Sequence, residues 1–322
     1  MKLMKTRIII TLIGGFMALN GFAQQDATFT QYFFNPLYVN PAYAGSRDVL
    51  SGTLVHRSQW LGIEGAPTTQ ALSLHSAIPN TNLGLGLQAY HDIAGPMNNT
   101  GLQAIFAYHL PLNEELKLSF GLGGTLNNLR IGFDQINTET PGDLAFNDNA
   151  RSVWVPDANF GLYLYNRTFY TGLSATHLIE TRWGFQDNDE ADDARFYRHY
   201  YLTAGYVQQL TDNIGLRPSV MLRYSKAAPL MADLNAALIF WKQFYAGLGY
   251  RFDKRVAMRG LDNIFIAMLE YNFLNRLRVG YSFDIYANRN SNAIYNRYGT
   301  HEIMFGWDLG FVKTKMADVR FF

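Results

Sequence analysis

The 322-residue chain contains no cysteine, so it can build neither a disulfide, nor a thiolate metal site, nor a lipid-modified N-terminal cysteine. It has no uninterrupted apolar run of about 20 residues, which excludes a membrane-spanning helix. An excess of one charge is missing as well. The 27 Lys+Arg face 26 Asp+Glu, and that balance gives no electrostatic case for nucleic acid. Pro/Ser-rich linkers, charge blocks and internal repeats are absent too, so the chain beyond its first residues reads as one domain. What it has in quantity is apolar surface with no helix to carry it: 48% hydrophobic residues, 15% aromatic, and 28 glycines.

Lys2, Lys5 and Arg7 precede an apolar run, Ile8 to Leu19, that is too short to span a bilayer. Gly21-Phe22-Ala23 then places small residues where a signal peptidase reads. Residues 1–23 therefore read as an export signal. Its removal takes away only basic charge and leaves a net charge of about −2.

Beyond residue 82 apolar and small or polar residues alternate with period two, which sends them to opposite faces of a strand. Leu83, Leu85 and Leu87 alternate with Gly84, Gly86 and Gln88, and Val279, Tyr281, Phe283 and Ile285 with Gly280, Ser282, Asp284 and Tyr286. Fourteen such segments can be marked, at 50–60, 69–77, 82–91, 100–109, 115–128, 157–166, 168–177, 197–210, 214–224, 231–241, 243–252, 263–273, 277–287 and 300–311. Even-numbered connections are tight, as at Asn166-Arg167 and Lys242-Gln243, whereas odd-numbered ones are longer, notably 129–156 and 178–196. Short turns at one rim, long loops at the other, and strands of about 10 residues predict an all-β fold. It is a single transmembrane antiparallel β-barrel of about 14 strands over residues 49–322, in the outer membrane of a Gram-negative bacterium, with both termini periplasmic. A soluble β-sandwich also alternates, but its outward face would be rich in Lys, Glu and Thr. Here the non-apolar face is Gly, Ser, Asn and Tyr, suited to a crowded lumen.

QYFFNPLYVNPAYAG, residues 31–45, interrupts this pattern. Proline donates no main-chain hydrogen bond and restricts the residue before it, so Asn35-Pro36 and Asn40-Pro41 fit neither a helix interior nor a central strand. Phe33, Phe34, Tyr38 and Tyr43 still need burial. A barrel of about fourteen strands is wide enough to need filling, so residues 24–48 are expected to form a proline-stiffened plug or periplasmic cap.

Residues that could carry chemistry are few. His56 and Ser58 share a strand face but have no third member and no G-x-S-x-G elbow, so no catalytic site is assigned. Asp187, Asp189, Glu190, Asp192 and Asp193 crowd one predicted loop, but an EF-hand pattern fails because Ala191 takes a ligand position. No metal or cofactor is expected. Arg217, Arg223, Arg251 and Arg278, with Asp284, Glu302 and Asp308, fall on the lumen face and predict an internal salt-bridge network. Pro218 is expected to mark a bulge.

Four ordered stretches, QYFFNPLYVNPAYAG (31–45), HRSQWLGIEGAPTT (56–69), HDIAGP (91–96) and GTHEIMFGWDLGF (299–311), together resemble the PorP/SprF family of outer-membrane proteins of the type IX secretion system. The closing aromatics of Val319-Arg320-Phe321-Phe322 are similar to the family's ending. The resemblance implies a non-enzymatic barrel that helps export or surface-anchor a secreted protein bearing a C-terminal sorting domain, alongside other type IX components in the periplasm and outer membrane. It makes Gln59, Trp60, Pro67, Asp92, Gly95 and Pro96, at the outward ends of the first and third connections, candidates for partner contact. The aromatic belt of a membrane barrel would account for Trp60 by itself. The rival expectation, from another class, is an outer-membrane channel for small or hydrophobic solutes, which requires an open lumen.

Overall fold

The computed structural model describes residues 29–32, 34–47, 49–132, 151–183, 195–226, 228–253, 261–273, 276–288 and 299–309. The export signal at 1–23, Phe33, the acidic loop at 187–193 and the ending at 319–322 lie outside the described residues. The strands are β1 (Leu50–Ser58), β2 (Thr68–Ala77), β3 (Leu83–Ala94), β4 (Met97–Pro111), β5 (Lys117–Ile131), β6 (Arg151–Tyr165), β7 (Phe169–Thr176) and β8 (His199–Tyr206). They continue as β9 (Gln208–Gln209), β10 (Ile214–Ser225), β11 (Ala228–Phe240), β12 (Phe244–Asp253), β13 (Leu261–Phe273), β14 (Leu277–Asn288) and β15 (Thr300–Leu309). All pairings are antiparallel and, apart from β8 with β10, join sequence neighbours, and β15 returns to pair with β1, so the sheet is closed. The two-residue β9 pairs with β10 in line with β8, which leaves fourteen long strands around the barrel.

Closure answers a physical demand. Hydrocarbon offers no hydrogen bonds, so a sheet edge left in it would strand a row of main-chain groups. The outer wall shows what that solvent is. Leu248 is 72% exposed, Leu102 61% and Leu122 60%, values that water would penalise and lipid rewards. On β5 the outward apolar residues run from Leu118 to Leu126, a height of about 20 Å for a strand tilted at roughly 40°. Above this band, toward the long-loop rim, His56, Gln70, His91, Thr100 and Asn128 stand opposite one another across β1 to β5 and end it with a polar row. Tyr200 and Tyr224 stack at that level, and Phe240, Trp241 and Phe244 gather at the short-turn rim.

Two expectations about connections need correcting. The third is not long: β3 and β4 extend until only Gly95-Pro96 separates them, with Gly95 at φ +55°, and β10 ends at Ser225 close to the start of β11 at Ala228. Pro218 marks no bulge either. The β10–β11 register runs through Pro218↔Ala236, and its irregularity falls between Arg223 and Ser225. On the opposite edge, pairing with β8 stops at Ser219↔Gly205 and resumes with β9 at Leu216↔Gln208. The missing N–H of Pro218 thus falls where the β8 line breaks at Val207, whose own N–H turns to the Thr168 carbonyl at 2.7 Å.

A closed ladder of this length should resist detergent until boiled. Unboiled and boiled samples are expected to migrate differently on an SDS gel, with β-rich circular dichroism in detergent. Recovery as a soluble protein without detergent would refute the barrel.

Candidate functional site

Residues 29–47 run inside the barrel, and all but Pro36 and Tyr38 of those described are buried. The two prolines open two single-turn 3-10 helices, Pro36–Tyr38 and Pro41–Tyr43, each standing at the first helical position, where a missing N–H costs nothing. Asparagine supplies the approach to both. The Asn40 side-chain oxygen accepts the Ala42 N–H at 2.9 Å, while its amide nitrogen donates to the Leu162 carbonyl on β6 at 2.9 Å. The sequence rule against Asn-Pro in a helix interior holds, and the single-turn use of each pair at a helix start is what it does not anticipate.

The segment can lie this close to the wall because the wall is bare beneath it. Gly84, Ala107, Gly121, Gly161 and Ser174 stand opposite one another across β3 to β7, forming one inward row of small residues. A Cβ on Gly121 would overlap the Ala42 main chain, one on Gly161 the Asn40 amide, and one on Gly84 the Ala44 carbonyl. Hydrogen bonds fix the position along the row. Ser174 Oγ donates to the Val39 carbonyl at 2.5 Å, and His75 Nδ1 accepts the Gly45 N–H at 3.1 Å. His109 Nε2 meets the Ala44 carbonyl at 2.8 Å, and its Nδ1 meets the Tyr165 hydroxyl at 3.0 Å. Because the carbonyl can only accept, His109 carries its proton on Nε2.

Charge holds the two ends. Glu302 accepts the Thr30 N–H at 2.8 Å and the Gln31 N–H at 2.7 Å. Arg57 bonds Glu302 at 3.0 Å and Asp284 at 2.8 Å, and the Thr30 hydroxyl donates to Asp284 at 2.8 Å. Arg251 reaches Asp233 at 2.7 Å and Asp284 at 3.5 Å. At the short-turn end Arg47 pairs with Asp308 at 2.8 Å and donates to the Tyr43 hydroxyl at 3.2 Å. The Asp308 carboxylate and the Tyr43 hydroxyl compensate the buried Arg47 guanidinium. Such pairs add little net stability over apolar packing, yet removing one partner costs about 3–5 kcal/mol. They specify one seating of the segment.

The predicted lumen charges Arg217, Arg223, Arg251, Arg278, Asp284, Glu302 and Asp308 are all inward and buried. Arg217 lies over the Phe34 ring, 5.5 Å from its centroid. Sequence reading missed Arg47, Arg57, Asp233 and Glu270 as members of this lining. For Arg57 the signal was there, since it keeps the strand parity of the inward Thr53 and Val55.

The candidate partner residues meet at the long-loop rim. Gln59 N–H donates to the Pro67 carbonyl at 2.9 Å, and Gly95 N–H to Gly65 at 3.0 Å, so the first and third connections touch. Asp92 belongs to β3, where it accepts the Thr69 hydroxyl, and Pro96 accepts the Gly132 N–H at 2.9 Å. Trp60 is no lipid-facing belt residue. At φ +47° its ring turns to Tyr286 at 6.4 Å and packs on the lumen cluster of Phe29, Tyr32 and Val39. His56 and Ser58 bond each other at 3.2 Å on the outward wall.

Closed strands, an apolar exterior and a polar, filled lumen define an outer-membrane-type β-barrel with an internally seated N-terminal segment. Solved structures with a similar fold include outer membrane protein Omp33 of Acinetobacter baumannii (11% identity, 81% of this chain and 96% of that one, TM-score 0.42). The toluene transporter TbuX of Ralstonia pickettii is similar over 86% of this chain and 94% of its own (9% identity, TM-score 0.49). No curated protein matches the chain. The family model described as type IX secretion system membrane protein PorP/SprF matches residues 21–307, and the chain belongs to that family.

The absence of native cysteine makes the seating testable. In Ser46→Cys the thiol takes the place of a fully buried hydroxyl and should resist maleimide in the folded barrel. Adding Gly84→Val should displace Ala44–Gly45 and speed labelling at least about tenfold, a shift of about 1.4 kcal/mol in local opening. Equal labelling rates in the two proteins would disprove the close approach.

Proposed function

We propose that this protein is a non-enzymatic component of the type IX pathway. It binds a secreted partner through that partner's C-terminal sorting domain, helping to export it or hold it at the cell surface. The long-loop rim faces outward, and both termini lie in the periplasm. One observation carries the choice over a solute channel: the segment 29–47 crosses the lumen and is fixed at both ends by buried ion pairs. A passive channel needs a continuous path, whereas a docking barrel can be filled. The long-loop rim, where Gln59, Pro67, Gly95 and Pro96 converge, then offers itself to the partner, and periplasmic components of the machinery meet the short-turn rim.

Deleting the protein is expected to remove one or a few surface proteins while general type IX secretion and small-solute uptake stay intact. Replacing Pro36 and Pro41 together with alanine should weaken the same phenotype with the barrel still in the membrane, since neither proline lies in a ladder. Normal surface proteins with altered solute uptake would favour the channel, and a double-proline variant absent from the membrane would reduce the motif to an assembly role. Orientation has its own check. A tag near Asp189 should be reachable on intact cells and one near Asn113 should not, and the reverse labelling would invert the barrel.

A further inference from the structure

At the short-turn end of the lumen the wall leaves a pocket of about 240 Å³. Its sides are Val207, Gly215 and Ile239, with Thr168 and Gln209 beside them, and all five keep the inward parity of their strands. Val207 closes its inner end, packing both on Ile239 with Tyr245 and on the cluster that holds Leu37 and Tyr43 of the lumen segment. The pocket therefore opens toward the short turns, where Asp212 and Lys242 stand at its edge. An apolar cavity of about 150 Å³ is enough to hold benzene, so this one has room for an aromatic or branched side chain.

Beside the pocket the sheet has a short open edge, because β8 and β9 together run further toward the rim than β7 does. Val207 N–H donates to Thr168 at 2.7 Å, and there the neighbouring chain leaves, since Asn166 N–H turns to the Phe169 carbonyl at 3.0 Å to close the β6–β7 turn. Leu210 N–H donates to Ile214 at 2.9 Å, on the β10 side. Direction alternates along a strand, so Gln209 presents its N–H and C=O to the open side. Among the described residues its N–H has no partner, and its carbonyl takes only the Gln208 side-chain amide at 3.2 Å. A residue of another chain paired with Gln209 would place its side chain on the same face of the sheet, which is the face of the pocket.

The two features together select the occupant. A small apolar solute would fill the pocket and leave the edge unused, and the phosphate of a phospholipid would meet Asp212 as well as Lys242. An extended polypeptide uses both, the pocket by one bulky apolar side chain and the edge by its main chain, as in strand addition. We propose that the short-turn rim captures an extended segment of a periplasmic protein in this way, with its anchoring side chain between Val207 and Ile239 and its main chain on Gln209. The inference rests on the reading above, in which periplasmic components meet this rim. Asp212 and Lys242, being of opposite sign, then face polar residues flanking the anchor.

The test uses the full-length protein in lipid nanodiscs, which leave both rims in water, and four probes. These are a capped pentapeptide of threonines with a central phenylalanine, the same peptide with alanine at the centre, the phenylalanine peptide N-methylated at its central amide, and benzyl alcohol. Calorimetric titration should detect the phenylalanine peptide, with the alanine form at least about tenfold weaker and the N-methyl form about fivefold weaker. A Cβ on Gly215 would lie 3.6 Å from Ile239, an ordinary contact, so Gly215→Phe fills the pocket from its own wall. That variant should lose peptide binding while keeping heat-modifiable mobility, and the smaller Gly215→Leu carries the same test should the ring prevent folding. Equal binding of the alanine or N-methyl peptide, benzyl alcohol binding as tightly as the peptide, undiminished binding to the filled variants, or no binding of any probe would each overturn the proposal. Failure here is separable from failure of the docking reading. If the deletion strain loses surface proteins but the Gly215→Phe and Gly215→Leu strains do not, the pocket assignment falls and docking stands, whereas an unaffected deletion strain removes docking itself.

Discussion

The barrel is closed by one pairing, β15 on β1, and the lumen segment is held at that same seam. Across it Arg57 faces Glu302 and Ser51 faces Asp308. Glu302 takes two main-chain N–H groups of the segment, and Asp308 takes Arg47. The carboxylates of the last strand thus serve two unions at once, of strand to strand and of wall to filling. Neither would be secure alone. Without the segment Glu302 would lose its two main-chain N–H donors in a buried site, and without closure Arg57 on β1 would lose the Glu302 that faces it across the seam. The chain's own N-terminal stretch completes the electrostatics of the strand that arrives last.

That arrangement explains why the filling is polar at its ends and small-featured in its middle. On the β3 to β7 side the segment rests on Gly84, Gly121 and Gly161, where contact is steric and backbone lies on backbone. On the β11 to β15 side the wall carries Asp233, Arg251, Glu270, Arg278, Asp284, Glu302 and Asp308, and β1 adds Arg57, all buried. One half fixes depth by shape, the other fixes register by charge. A segment shifted by a single residue would lose both, since Asn40 would leave its notch at Gly161 as Thr30 left Glu302.

How much of this could be read beforehand follows from the same division. All fourteen long strands were legible because lipid enforces strict period-two alternation on the outer face, and a one-residue slip anywhere would put a polar face in hydrocarbon. The lumen position of Arg217, Arg251 and Asp284 followed from parity. Partners did not, because Arg57 meets Asp284 across 227 positions of sequence and nothing local encodes the meeting. Trp60 was misjudged for a similar reason: a positive φ and an inward ring are set by the tertiary contact with Tyr286, while composition alone suggested a belt. At Asn-Pro the sequence rule was sound about helix interiors but silent about first turns, where proline is welcome.

The two faces of the wall also differ in how they constrain residues. Lipid is fluid and adapts to any apolar shape, so outward positions need only be greasy, and Leu, Phe, Val and Ile interchange along β14 and β15 without visible pattern. The filled lumen does not adapt. Inward glycines would weaken an isolated strand by roughly 0.5–1 kcal/mol each. In a closed barrel both edges of every strand are paired, so the ladder already confines the backbone and much of that flexibility is gone before the glycine side matters. Closure is therefore what makes a glycine-lined inner surface tolerable, and that surface in turn lets the segment approach closely enough to reach its charged clamps.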